Sequence, residues 1–329
     1  MSKRGTNENT FSKKMRLEES SYVVWNNKGG VGKSTITFHM SHQYAAMNPT
    51  KKVIVIDMCP QADLSSSYIN QNKLSEIWNQ PINKRNTIGT LLLNGAKNCM
   101  NEEDQAVEME PFLTQVCSID RNMPCNLFLI CGDPILQELD RFLGSRPISF
   151  VNWDENKYNT EINMMLKKSV KDYMKRNNQE VSIFIDTNPA FTIYTSIAIC
   201  GSQRIIIPVK GDDYSKVGVE KLVQLIYGPS QIGISFAAIA SKLKFDLPKI
   251  HLAVANQFKF DPESQVFDLS KKAICQALYD QFTKNPGLFS FSNNGIEDIM
   301  QFEKKLFTFL EEIEESKILT QMKRIIDKL

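Results

Sequence analysis

The stretch SYVVWNNKGGVGKSTITFHM, beginning at Ser21, constrains this chain more than any other part of it. An apolar run enters a glycine-rich turn, and the turn enters a segment that opens with hydroxyl residues and continues with helical periodicity. Strand, tight turn and helix in that order are the context that a phosphate-binding loop requires. Gly29, Gly30 and Gly32 let the backbone bend and carry its N–H groups against anionic oxygens, with Val31 between them, while the following helix points the positive end of its dipole the same way. Lys33 is placed to neutralise the β- and γ-phosphates of a nucleotide. Ser34 offers a hydroxyl to Mg²⁺, a hard ion that prefers oxygen ligands, and Thr35 extends the hydroxyl pair. The general pattern GxxxxGK[ST] has glycine where this chain has Asn27, so the match is one residue short.

Short apolar runs at 22–25, 53–56, 127–130, 182–185, 205–209 and 250–255 read as buried strands. Helical patterns fill the gaps, at 34–47, 135–143, 161–176, 216–226, 269–282 and 296–315. Strands that are apolar on both faces and alternate with helices predict a doubly wound α/β fold, a mainly parallel sheet with helices on both faces. Residues 1–20 are polar and carry Lys3, Arg4, Lys13, Lys14 and Arg16, which predicts a flexible basic tail before one domain over 21–329. The acidic stretch 98–110 and the irregular stretch 146–159 read as surface excursions.

Composition excludes several classes. The formal net charge is only +2, so affinity for a polyanion has to come from a local patch. Eighteen apolar residues never run together, which rules out an ordinary membrane-spanning helix. The seven cysteines are odd in number and form no CxxC pair, and no apolar leader opens the chain; a reducing cytoplasm is the simplest setting. His39 and His42 share a helical face without cysteine or carboxylate company, so they read as helix packing rather than metal ligands.

Lys28, directly before the double glycine, gives KGGVGKST, which resembles the deviant Walker A motif of the ParA/MinD family of ATPases. The segments VIVIDMCPQADLS, SIFIDTNPA and RIIIPVKGDDYSKVGVEKL look like the family's second motif, its Walker B strand and the strand and loop that follow. TIGTLLLNG and NLFLICGDPILQELDRFL are similar to its intervening segments, so the resemblance covers about residues 21–227. It implies a P-loop ATPase that binds ATP and Mg²⁺ and pairs with a second copy of itself around the nucleotide. Lys28 would then reach the partner's phosphates, Asp57 would help order Mg²⁺ and the first switch, and Asp186 would hold Mg²⁺ through water. Pro208 and Asn256 would lie by the nucleotide, Asn256 reading the adenine edge or else capping a turn. Lys28, Lys33, Asp57 and Cys59 are the candidate catalytic positions.

One position departs from the family's D-x-D-P-Q. Cys59 stands where the second aspartate positions the attacking water, and a neutral thiol neither orients water nor accepts its proton well, so hydrolysis is expected to be slow without a stimulating partner. For function the resemblance implies DNA partition, with non-specific DNA and a ParB-like centromere-binding protein as partners and a cytoplasmic, nucleoid-associated setting. Lys242, Lys244, Lys249, Lys271 and Lys272 are the candidate DNA-facing positions, with solvated lysines as the plainer reading. A MinD-like membrane-surface switch is the alternative. Ile318, Leu319, Met322, Ile325, Ile326 and Leu329 fall on one helical face near the C-terminus, although such a face also packs on its own domain and the membrane role is not expected. An iron–sulfur reductase would need two placed cysteines, and Cys131 reads instead as the buried end of a strand; no substrate signature supports a ligase.

Overall fold

Among the described residues the chain folds around one eight-stranded sheet in the order β3-β4-β2-β5-β1-β6-β7-β8. The computed structural model describes residues 19–101, 103, 105–144, 155–210, 215–228, 236–258, 266–291, 296–311 and 326–329. In chain order these are β1 (Glu19–Val24), α1 (Lys33–Met47), β2 (Lys52–Met58), α2 (Asp63–Tyr68), α3 (Gln71–Trp78), α4 (Ile88–Met100), β3 (Thr114–Gln115), β4 (Leu127–Ile130), α5 (Leu136–Gly144) and α6 (Glu155–Asn177). Then follow β5 (Val181–Thr187), α7 (Ile193–Cys200), β6 (Arg204–Lys210), α8 (Ser215–Tyr227), α9 (Phe236–Leu243), β7 (Lys249–Phe258), α10 (Val266–Lys284), α11 (Ile299–Leu306) and β8 (Phe307–Glu311).

Every strand pair is parallel except β3 with β4. The central strands are Val- and Ile-rich because both of their faces are covered: all seven residues of β5 are buried. Alternation along each strand divides these side chains between two cores. Val23 and Trp25 face a core built with α4 to α11, while Tyr22 and Val24 face one built with α1, α2 and α3. The expected doubly wound α/β fold is the fold observed.

The differences from the sequence reading are local. Glu19 and Ser20, assigned to the tail, begin β1 and pair with Val181 and Ser182, while residues 1–18 lie outside the described residues. The helix expected over 296–315 stops at Leu306, and Phe307–Glu311 joins the sheet beside β7. Cys117 and Cys125, which no spacing rule paired, form a disulfide in the connection between β3 and β4, and Cys59, Cys99, Cys131, Cys200 and Cys275 are buried. Ile318, Leu319, Met322 and Ile325 lie outside the described residues; Ile326 is buried in the second core, and the Tyr22 hydroxyl donates to the Leu329 carbonyl at 2.8 Å. No helix among the described residues is long and apolar enough to cross a membrane.

Candidate functional site

In an open parallel sheet, ligands sit in the crevice beyond the carboxyl ends of the strands, where the strand order reverses. Here that point is β1 with β5. The chain leaves β1 toward β2 on one side, and later returns from β5 to β6 on the other. The glycine loop, Asp57 at the end of β2 and Asp186 at the end of β5 all converge there.

Loop geometry follows from its residues. Gly30 and Gly32 take φ of 68° and 87°, in the left-handed region that costs other residues strain. Gly29 and Gly30 have open space where a Cβ would stand, as a loop wrapping a ligand requires. Asn26 braces the turn from beneath: its Nδ2 donates to the Pro208 carbonyl at 2.7 Å, and its Oδ1 accepts from the Lys28 amide at 3.0 Å. Asn256 braces it from β7, donating to the Val31 carbonyl at 3.1 Å. Pro208 and Asn256 therefore stand at the loop, the Pro208 carbonyl accepting from the Asn26 side chain and the Asn256 amide donating to the Val31 carbonyl. Asn27 Oδ1 and Trp25 Nε1 are buried without a hydrogen-bond partner among the described residues.

Lys33 is buried to 7% exposure and donates from Nζ to the Lys28 carbonyl at 3.0 Å. Burial lowers its pKa and the charge of Asp186 opposes that shift. Ser34 Oγ donates to Asp186 Oδ2 at 2.6 Å, and Thr37 Oγ1 reaches Asp186 Oδ1 at 3.4 Å. Thr35 is exposed in the first turn of α1 and makes none of these bonds.

Asp57 and Asp186 are register partners on adjacent parallel strands, and both are fully buried. Asp57 accepts from the Cys59 amide at 3.0 Å and from the Ser65 amide and hydroxyl at 2.8 and 2.7 Å. Those bonds favour its charged form, yet burial wins and pushes it up to about 6. Asp186 is pushed up to about 8, by burial first and by the Asp57 charge second. Two carboxylates held side by side beneath hydroxyls and a lysine form a hard-oxygen set with an electrostatic deficit that a divalent cation would remove. Among the described residues no group of three or more His, Cys, Asp or Glu side chains could hold a metal alone, so phosphate oxygens and water would have to complete the shell. The donor set and the open cradle thus fit MgATP.

Cys59 is buried beside this pair, its thiol pushed up to about 12 by burial and then by Asp57. It is a neutral group at every ordinary pH. Cys131, directly after β4, is fully buried, as expected of a residue that caps a buried strand. Sequence reasoning missed Asn26, Thr37 and Ser65. Ser65 is the most telling, because its oxygen both donates to Asp57 and accepts from the Gly132 amide at 2.9 Å, tying β2 to the end of β4. Its only sequence signal was a serine eight residues after Asp57 in VIVIDMCPQADLS.

A family model described as an AAA domain matches residues 21–231, well over half of the chain. The chain belongs to this family of P-loop ATPases, of the ParA/MinD type. A ParA family protein of Mycoplasma genitalium is 25% identical over 202 residues, 61% of this chain and 62% of the relative; a Mycoplasma pneumoniae counterpart matches equally. The chain thus spans about three fifths of the length of the curated relatives it matches. Among solved structures, a plasmid partition protein of Borrelia burgdorferi superposes with TM-score 0.54 at 18% identity, covering 94% of this chain and 97% of that one. The ATP complex of a Cyanothece McdA variant gives 0.57 at 14% identity, covering 94% and 96%. At those identities the superpositions establish the ParA-like fold alone.

Proposed function

We propose that this ParA-family protein is an ATPase of DNA partition, a switch that pairs with its own copy around ATP and Mg²⁺. In the paired state it would bind DNA without sequence preference and answer to a ParB-like centromere-binding protein. The observation that carries the reading is the second lysine: Lys28 sits one residue before the glycine cradle, its carbonyl holding Lys33 and its amide held by Asn26. Two triphosphate tails facing each other across an interface need positive charge beyond what each loop supplies, and a lysine at that place supplies it.

MgATP, when bound, supplies the phosphoryl group and the divalent charge. Of the chain's own groups, the loop amides and Lys33 would orient the triphosphate, and Ser34 would turn its hydroxyl from Asp186 toward the cation. Asp57 and Asp186 would hold the cation's water, and Ser65 keeps Asp57 pointing at the site. Cys59 cannot take a proton from water, which supports slow intrinsic turnover. The ATP complex of the Cyanothece McdA variant, and a putative plasmid partition protein of Borrelia burgdorferi bound to AMPPNP, support the nucleotide assignment.

Light scattering with MgATP, with MgADP and without nucleotide tests the switch. A dimer is expected with MgATP alone, lost in Lys28→Ala while that variant still binds a fluorescent ATP analogue. A wild-type monomer at saturating MgATP would refute the reading. Turnover is tested separately: Cys59→Asp is expected to exceed wild type by roughly 10²-fold, the lower end of general-base effects, with Cys59→Ser unchanged. For DNA, binding to arbitrary duplex should require MgATP and weaken steeply with salt. Lys244 and Lys272 are exposed, as that role needs, while Lys249 lines a separate cleft and the side chains of Lys242 and Lys271 lie outside those described.

A further inference from the structure

At the sheet edge away from the glycine loop, the starts of β6 and β7 and one face of α6 enclose a cleft of about 510 Å³. Lys167 and Lys171 line it from α6, Arg204 from β6 and Lys249 from β7, with Asp246 as the carboxylate among the lining residues. β6 runs from Arg204 at this edge to Pro208 at the loop, a separation of roughly 13 Å at strand rise, so the cleft is apart from the nucleotide site.

The charge here is concentrated. Four cations face one carboxylate, a local excess of three in a chain whose formal charge is only +2. Lys167 and Lys171 are one helical turn apart, so their ammonium groups leave α6 on the same side. Arg204 is already oriented: Nη1 donates to the Tyr22 hydroxyl at 3.0 Å, and the guanidinium lies 5.4 Å from the centre of that ring. Lys167, Lys171 and Lys249 make no ion pair among the described residues, and neither does Asp246. Like charges gathered in one concavity repel unless an anion joins them, and an oriented guanidinium among three ammonium groups matches tetrahedral oxyanions. The volume lies within the range of small-molecule clefts.

We infer that this cleft is a second anion site, one that takes a small molecule carrying two or more phosphates. Calorimetry on the full-length protein, saturated with MgAMPPNP and titrated with inorganic tripolyphosphate at fixed free Mg²⁺, tests it. One further equivalent is expected to bind. Lys171→Glu and Lys249→Glu should each weaken that event at least about tenfold, since each replaces an attraction by a repulsion at short range. The same variants should bind MgAMPPNP as wild type does, which excludes misfolding, and Lys73→Glu on α3 should change neither event. Absence of a second event with the nucleotide site filled overturns the inference, as does equal weakening by Lys73→Glu. It also fails if duplex DNA displaces tripolyphosphate through the same lysines with affinity that grows with duplex length, for the cleft then belongs to a nucleic-acid backbone.

Discussion

Gly32 is held by two constraints of different kind. Its φ of 87° disfavours any side chain, and a Cβ built there would stand 2.1 Å from Asn256 Nδ2. Backbone strain alone costs about 1–2 kcal/mol, while the clash can be removed by shortening residue 256. Gly32→Ala should therefore lose nucleotide affinity by more than tenfold, and Gly32→Ala with Asn256→Ala should recover part of it, read by titration of a fluorescent ATP analogue. Gly29→Ala, facing open space at an ordinary φ, should fold and melt like wild type. If the double variant is no better than the single one, the contact from β7 is not what limits the loop. The pair also shows what was legible. That Gly32 belongs to a phosphate loop was plain from its neighbours in sequence, whereas its contact with a residue 224 positions away is created only by folding.

At the scale of elements, what the sequence made plain was what is buried on both faces. The six expected strands all formed, because continuous Val/Ile runs leave a chain little else to do. β8 was hidden for the opposite reason. FTFLE is flanked by EKKL and EIEE, whose charges read as the exposed side of a longer helix, and only pairing with Ala253, Val254 and Ala255 of β7 makes it a strand. The turn from α11 into β8 rests on an aromatic cluster that periodicity did not reveal: Phe282 of α10 has its ring centroid 5.1 Å from Phe302 of α11 and 5.3 Å from Phe289. Phe282 is 2% exposed, so Phe282→Ala should cost about 3–5 kcal/mol in urea unfolding. Hydrogen exchange should place the loss first in β7, β8 and α11, with β2 and β5 still protected. Uniform loss of protection would mean that the cluster is not a local support.

At the scale of the whole molecule, the paired carboxylates tie stability to pH in a direction opposite to most proteins. Asp57 and Asp186 hold protons more tightly in the fold than in the unfolded chain, at about 6 and about 8 against ordinary carboxylate values. The folded state therefore binds more protons than the unfolded one between those limits. Their contribution is fully present below the ordinary carboxylate range and is lost as pH rises toward 8. In EDTA and without nucleotide, the melting midpoint should fall between pH 6 and pH 8, and Asp186→Asn should flatten that fall. A cation seated between the carboxylates removes their repulsion, so the rise in melting midpoint on adding MgATP should be larger at pH 8 than at pH 6, and Asp186→Asn should erase that difference. Mass action alone, about 2.7 kcal/mol at a hundredfold excess over Kd, gives the same rise at any pH where affinity is constant. A pH-independent increment in the wild type would therefore mean that the two aspartates do not face the metal.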